Sequence, residues 1–164
     1  MHWLARKVIV IDDQQADTMV IISFDIAEET TKEIQIPSCF LEFSHATVEV
    51  LGKDLSLSVC VSDIFELWVM KDYGVVDSWT KVLCISQKME NIQIWRTLSY
   101  FNKNRETLFS SSRLQGSYYK VTLVSYNLRN KRFRSLHIND MPGNCNAINA
   151  ETFNGSLVSL NSTA

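Results

Sequence analysis

One stretch of the chain recurs. Residues 20–36, VIISFDIAEETTKEIQI, lie over residues 122–138, TLVSYNLRNKRFRSLHI, without a gap. Ile22 meets Val124, Ser23 meets Ser125, Phe24 meets Tyr126 and Asp25 meets Asn127. Farther along, Ile34 meets Leu136 and Ile36 meets Ile138. A third copy lies between them, FELWVMKDYGVVDSWTKVLCI (65–85), with four extra residues in its linker. There Trp68 takes the Phe24 place and Met70 the Ile26 place. The aromatic positions 24, 68 and 126 are 44 and 58 residues apart. Self-similarity at such a spacing constrains a fold more than any composition does, because each copy must form the same supersecondary unit.

Each copy reads as two strands around a polar turn. The strands are rich in β-branched and aromatic residues and alternate with period two. The turns are Ala27–Thr30, Asp72–Gly74 and Arg129–Lys131. Asp25 and Asn127 end the first strand of their copies, where short polar side chains bond nearby backbone and start turns. Further alternation at Thr47–Val50, at LSLSVCV (55–61), at Ile92–Trp95 and at Thr107–Phe109 supplies more strands. Composition alone would allow a helix over residues 86–94; the hairpin repeat favours strand. About four short strands per unit of roughly 45–55 residues is the dimension of a propeller blade. The predicted fold is all-β, a partial kelch-like β-propeller of about three blade-like antiparallel units. The tail TFNGSLVSL (152–160) is a candidate to pair with the first unit.

The chain's 164 residues suit one domain, and 46% apolar with 21% charged residues is ordinary for a soluble fold. Net charge is −2, so no bulk field selects nucleic acid or a membrane surface. The charge is split, with −8 in residues 1–90 and +6 in residues 91–164, which suits complementary solvated faces. No apolar run is long enough to span a bilayer. The start, MHWLARKVIVIDD, does not follow a signal-peptide plan. Cys39, Cys60, Cys84 and Cys145 show no metal-binding spacing, and a reducing compartment fits them. Cys60 and Cys84 lie inside apolar runs and read as small core residues. The sequons at Asn154 and Asn161 read as chance matches without a secretion signal. The expected location is the cytoplasm or nucleus, and the protein is not expected to be secreted.

Catalysis needs convergent groups, and none stand out. His2, His45 and His137 are scattered, and no nucleophile elbow, P-loop or zinc-protease motif occurs. The acid pairs Asp12–Asp13 and Glu28–Glu29 are adjacent, which on strands sends them to opposite faces and in turns leaves them solvated. The expectation is a non-enzyme with no metal and no cofactor. The basic run RNKRFR (129–134) has the aromatic-among-bases pattern of a nucleic-acid platform. The aligned acidic copy shows instead a hairpin tip that tolerates either sign, with Phe133 packed inward. No nucleic-acid or membrane partner is expected. Trp3, Trp68, Trp79 and Trp95 raise the question of a ligand platform. Packing is the better reading for Trp68 and Trp79, which occupy repeat positions and would each need one N–H partner. The predicted repeat core is Phe24, Trp68, Trp79 and Tyr126.

The order HWLA, SFD, EIQIP, LWVMKDYGVVDSWTK, YNLRNKRFRSLHI and NGSLVSL resembles the plant F-box associated domain. That is the kelch-like C-terminal region of plant F-box proteins, the S-locus relatives tied to self-incompatibility among them. The likeness covers nearly the whole chain and is most specific at LWVMKDYGVVDSWTK. It implies a β-propeller that selects a target protein, as the substrate-binding region of an SCF-type ubiquitin ligase receptor. In that family an upstream F-box docks an adaptor of the cullin–RING ligase. This sequence contains no F-box, and its likeness begins about midway through the family's domain. Residues 1–164 are therefore expected to be an F-box associated domain incomplete at its N-terminus, with an unpaired edge or uncovered apolar face at residues 19–26. Adaptor binding would need an F-box supplied upstream. The alternatives are a truncated receptor fragment, competing or without function, and a ligand- or glycan-binding β domain outside the ubiquitin system.

Overall fold

A computed structural model describes residues 1–11, 14–40, 45–86, 93–99, 106–115 and 118–136. They form eleven antiparallel strands and one 3-10 turn at Val76–Ser78. The strands are β1 (His2–Ile11), β2 (Gln14–Asp25), β3 (Thr30–Gln35), β4 (His45–Leu51), β5 (Asp54–Val61) and β6 (Ile64–Met70). They continue with β7 (Trp79–Ser86), β8 (Gln93–Ser99), β9 (Glu106–Gln115), β10 (Tyr118–Asn127) and β11 (Arg132–Leu136). Three sheets follow in chain order: β1-β2-β3, β4-β5-β6-β7 and β8-β9-β10-β11. Every neighbour within a sheet is also a neighbour in sequence, the meander of a propeller blade. The protein is a partial β-propeller of three blade-like sheets, and the described residues do not close a ring.

The repeat is structural as well as sequential. Ile21 pairs with Ile34 and Asp25 with Thr30 in the first sheet. Leu123 pairs with Leu136 and Asn127 with Arg132 in the third. These are the same positions of the repeat in the same register. In the second sheet β6 and β7 take the equivalent places, with Met70 pairing Trp79. Residues 19–26 differ from the expectation of an unpaired edge. β2 is flanked by β1 on one side and, over residues 20–25, by β3 on the other, so this part of the strand is not an edge. The partner that covers this edge is β1, HWLARKVIVI, a strand ten residues long that lacks a clean period-two pattern.

Two buried clusters hold the sheets together. Ile21 and Ile34 of the first sheet pack with Leu55, Leu57, Val59, Met70 and Trp79 of the second, and Phe40 joins them. On the other side of the second sheet, Cys60, Phe65, Leu67, Leu83 and Ile85 pack with Phe109, Val124 and Tyr126 of the third. Strand β5 feeds both: its leucines point to the first sheet, while Ser56, Ser58 and Cys60 point the other way, as period two requires. The same rule corrects the reading of Cys84 as a core residue. Leu83 and Ile85 are buried, so Cys84 between them faces out and is exposed. Cys60 is buried. Residues 152–160, Cys145, His137 and both sequons lie outside the described residues, as does most of the 86–94 segment.

Candidate recognition surface

The last two strands of each sheet, β2–β3, β6–β7 and β10–β11, are joined by a hairpin, and the three hairpins stand at one end of the molecule. The first and second are joined by Tyr73, whose hydroxyl lies 2.8 Å from His2 Nε2 and 2.8 Å from Ser23 Oγ. The second and third sheets meet at the same end: Leu51, at the β4–β5 turn, and Leu128, at the start of the third hairpin, pack on the same cluster.

The first and third hairpins are built alike. Asp25 Oδ1 accepts from the N–H of Ala27 at 2.9 Å and of Glu28 at 3.3 Å. Asn127 Oδ1 accepts from the N–H of Arg129 at 2.9 Å and of Asn130 at 3.3 Å. Each turn then passes through a left-handed residue, Glu29 at φ 51° and Lys131 at φ 54°. The side-chain acceptor four residues back, which holds the start of the turn, offsets the cost of that conformation outside glycine. The middle loop is longer and self-bonded. Ser78 Oγ lies 2.9 Å from the Asp72 carbonyl and 2.7 Å from the Val75 carbonyl, and accepts from the Asp72 N–H at 3.1 Å. Gly74, at φ 83°, donates its N–H to Met70 Sδ at 3.1 Å. The loop thereby covers Met70, which is 2% exposed, whereas Ile26 at the matching repeat place is 70% exposed.

The predicted repeat core can be placed residue by residue. Tyr126 and Trp79 are buried; Trp68 and Phe24 are half buried. Each repeat aromatic meets its own cross-strand neighbour: Thr31 opposite Phe24, Lys81 opposite Trp68 and Phe133 opposite Tyr126. Phe133 tilts against Tyr126 at 4.8 Å between centroids. Lys81 Nζ sits 5.2 Å over the Trp68 ring, and Phe40 meets that ring edge-on at 5.3 Å. Both tryptophan N–H groups are bonded, Trp68 to Glu66 Oε2 at 2.9 Å and Trp79 across the sheets to the Gln35 carbonyl at 3.0 Å. Glu66 also takes Lys81 Nζ at 2.6 Å, which raises the lysine pKa above its ordinary value. Burial raises that of Tyr126. Trp68 and Tyr126 face the preceding sheet. Phe24 points away from the second sheet, since Ile21, three residues back on the strand, points toward it, and Phe24 belongs to neither cluster. Trp3 is exposed.

Convergent chemistry does not gather at this end. Among the described residues no group of three or more histidines, cysteines or acids is placed to hold a metal. None of their helices is long and apolar enough to cross a membrane. What the surface offers is a row of exposed side chains on rigid turns: Ile26, Glu28 and Glu29; then Tyr73, Val75 and Val76; then Arg129, Lys131 and Arg132. The basic hairpin keeps its arginines out and Phe133 inward against Tyr126. Sequence reasoning placed Tyr73 in a turn but missed that it ties two hairpins together, because its partners His2 and Ser23 lie 71 and 50 residues away in the chain.

The chain is 27% identical over 135 residues to the F-box protein CPR1 of Arabidopsis thaliana, a stretch that covers 78% of this chain and 31% of that protein. It thus spans about a third of the length of that curated relative. No solved structure matches it. A family model described as the F-box associated beta propeller domain matches residues 9–159, nearly the whole chain. With three meander sheets in the repeat register and that match, the chain belongs to the F-box associated β-propeller domain family.

Proposed function

We propose that this chain is a protein-recognition module, the part of an F-box-type receptor that selects a target for an SCF-type ubiquitin ligase. One observation supports this beyond family membership. The first and third hairpins share a turn frame down to the same pair of backbone hydrogen bonds, yet carry opposite chemistry, Ala-Glu-Glu against Arg-Asn-Lys. A constant frame with divergent exposed tips is what a specificity surface requires, because binding residues concentrate on loops held by a rigid scaffold. A catalytic role would require convergent groups instead. The protein acts, on this reading, in the cytoplasm or nucleus, without cofactor, and contacts the ligase adaptor only through an F-box joined ahead of it.

The test is ubiquitin transfer in cells. With an F-box placed upstream of residues 1–164, at least one protein is expected to gain ubiquitin and turn over faster. That change should vanish when residues 1–164 are replaced by an unrelated domain. If quantitative proteomics finds no protein whose abundance or ubiquitin linkage depends on this chain, the receptor reading fails.

A further inference from the structure

The three hairpins differ in charge in a graded way. The first carries Asp25, Glu28 and Glu29, and the third carries Arg129, Lys131 and Arg132, all exposed. The loop between them nearly balances, with Lys71 against Asp72 and Asp77. That middle loop is also where exposed apolar side chains concentrate: Tyr73 is 59%, Val75 50% and Val76 38% exposed, beside Ile26 at 70%. At the opposite end, the Ser62–Asp63 turn carries Val61 and Ile64. One end of the molecule therefore reads acidic, apolar, basic across three neighbouring tips.

The geometry points to a partner of matching pattern: an extended protein segment with basic residues at one end, apolar residues in the middle and acidic residues at the other. This inference rests on the reading of the chain as a protein-recognition module and specifies the partner of that surface. Charge complementarity selects the class. A polyanion such as nucleic acid, or an anionic membrane, would gain at the third tip and be repelled at the first. A uniformly basic peptide would meet the reverse. Only a segment of split charge gains at both ends, and its apolar centre covers side chains that water otherwise wets. The size is consistent with a short motif. Packed sheets stand about 10 Å apart, so the outer two tips are about 20 Å apart, the reach of about six extended residues. The side-chain and backbone hydrogen bonds that hold the three turns mean that little ordering cost falls on this side of the contact.

The experiment is selection from a random heptapeptide display library on the immobilised chain, followed by affinity measurement with the synthetic peptides that emerge. Enriched peptides are expected to carry Lys or Arg toward one end, Asp or Glu toward the other and an apolar residue between. Their affinity should fall at least tenfold on Glu28→Lys with Glu29→Lys, on Arg129→Glu with Arg132→Glu, and on Val75→Asp with Val76→Asp. It should also weaken with rising salt. Circular dichroism melts establish that each variant is folded, and Glu28→Gln with Glu29→Gln replaces the lysine pair if that pair unfolds. Peptides of a single charge sign overturn the inference. So do peptides indifferent to the tips but lost on Val61→Asp with Ile64→Asp, a result that leaves protein recognition standing on the opposite end. Absence of any enrichment also overturns it, while the receptor reading is judged separately by the ubiquitin-transfer experiment.

Discussion

The two sides of the second sheet solve the same packing problem with different materials. Toward the first sheet, β4 and β5 present Ala46, Val48, Leu55, Leu57 and Val59, an alkyl strip with Trp79 and Met70 beyond it. Toward the third sheet, the same two strands present Thr47, Glu49, Ser56 and Ser58. There Ser58 Oγ bonds Thr97 Oγ1 of β8 at 2.9 Å, Ser56 Oγ donates to the Glu49 carbonyl at 3.0 Å, and Glu49 pairs with Arg96. The apolar cluster on that side sits farther out, around Phe65 and Phe109 at 5.3 Å between centroids. The difference teaches how a repeat tolerates divergence. A dry alkyl contact depends on volume, whereas a hydroxyl contact depends on every donor and acceptor finding a mate.

The largest effects should come from the aromatic anchors on the third-sheet side. Phe65→Ala and Phe109→Ala are each expected to cost about 3–5 kcal/mol, read from urea unfolding. Because the two rings touch, the double variant should cost less than the sum; strict additivity would show that the third sheet unfolds independently of the second. Next, Leu57→Ala on the alkyl side should cost about 2–5 kcal/mol. Ser58→Ala on the hydroxyl side should cost about 1–3 kcal/mol, because it strands Thr97. The two sides separate in the double variant Ser58→Ala with Thr97→Val, expected near neutral since both polar partners leave together. A double variant worse than the single would sink the description of this pair as mutually satisfied.

Smaller changes sharpen the contrast. Trp79→Phe keeps most of the ring but removes the bond to Gln35, at about 1 kcal/mol in the same unfolding assay. Thr107 points to the hydroxyl side opposite Tyr126, is fully buried, and its Oγ1 has no hydrogen-bond partner among the described residues. Thr107→Val should therefore be neutral or stabilise by up to about 1 kcal/mol, and a clear loss would reveal a partner for the hydroxyl. The smallest effect is on pH. Desolvation and the nearby N-terminal charge lower the His2 pKa below its ordinary value. The unfolded chain then binds the proton more readily, so stability is full above roughly pH 7 and declines as pH falls through about 6.5. Thermal melts at both ends of that range should show the decline in the native chain and less of it in His2→Gln.

Much of this architecture was legible in the residues, and particular ones show why. The match of Ile21–Asp25 to Leu123–Asn127 predicted two hairpins in one register, because a one-residue slip would turn every core side chain outward. Asp25 and Asn127 announced their turns for the same local reason. The limits were also physical. Cys84 was read from an apolar run, whereas its neighbours Leu83 and Ile85 show that alternation decides its side. The three aromatics share a repeat place but not a degree of burial, since burial depends on the neighbouring sheet. Tyr73 joins two hairpins through a contact seventy-one residues away from His2 in the chain, which no local pattern carries.

By itself, then, the sequence determined the strands, the turn chemistry, the repeat and the family, all of which rest on interactions between residues near one another or on a period that the backbone imposes. Only the tertiary structure decided which face of each sheet meets which neighbour. Only it showed that β5 splits its leucines and serines between two unlike interfaces, and that the acidic and basic hairpins stand at one end with apolar residues between them. Those facts depend on how separate sheets stack, and the stacking is set by the summed burial of two clusters whose members lie far apart in the chain.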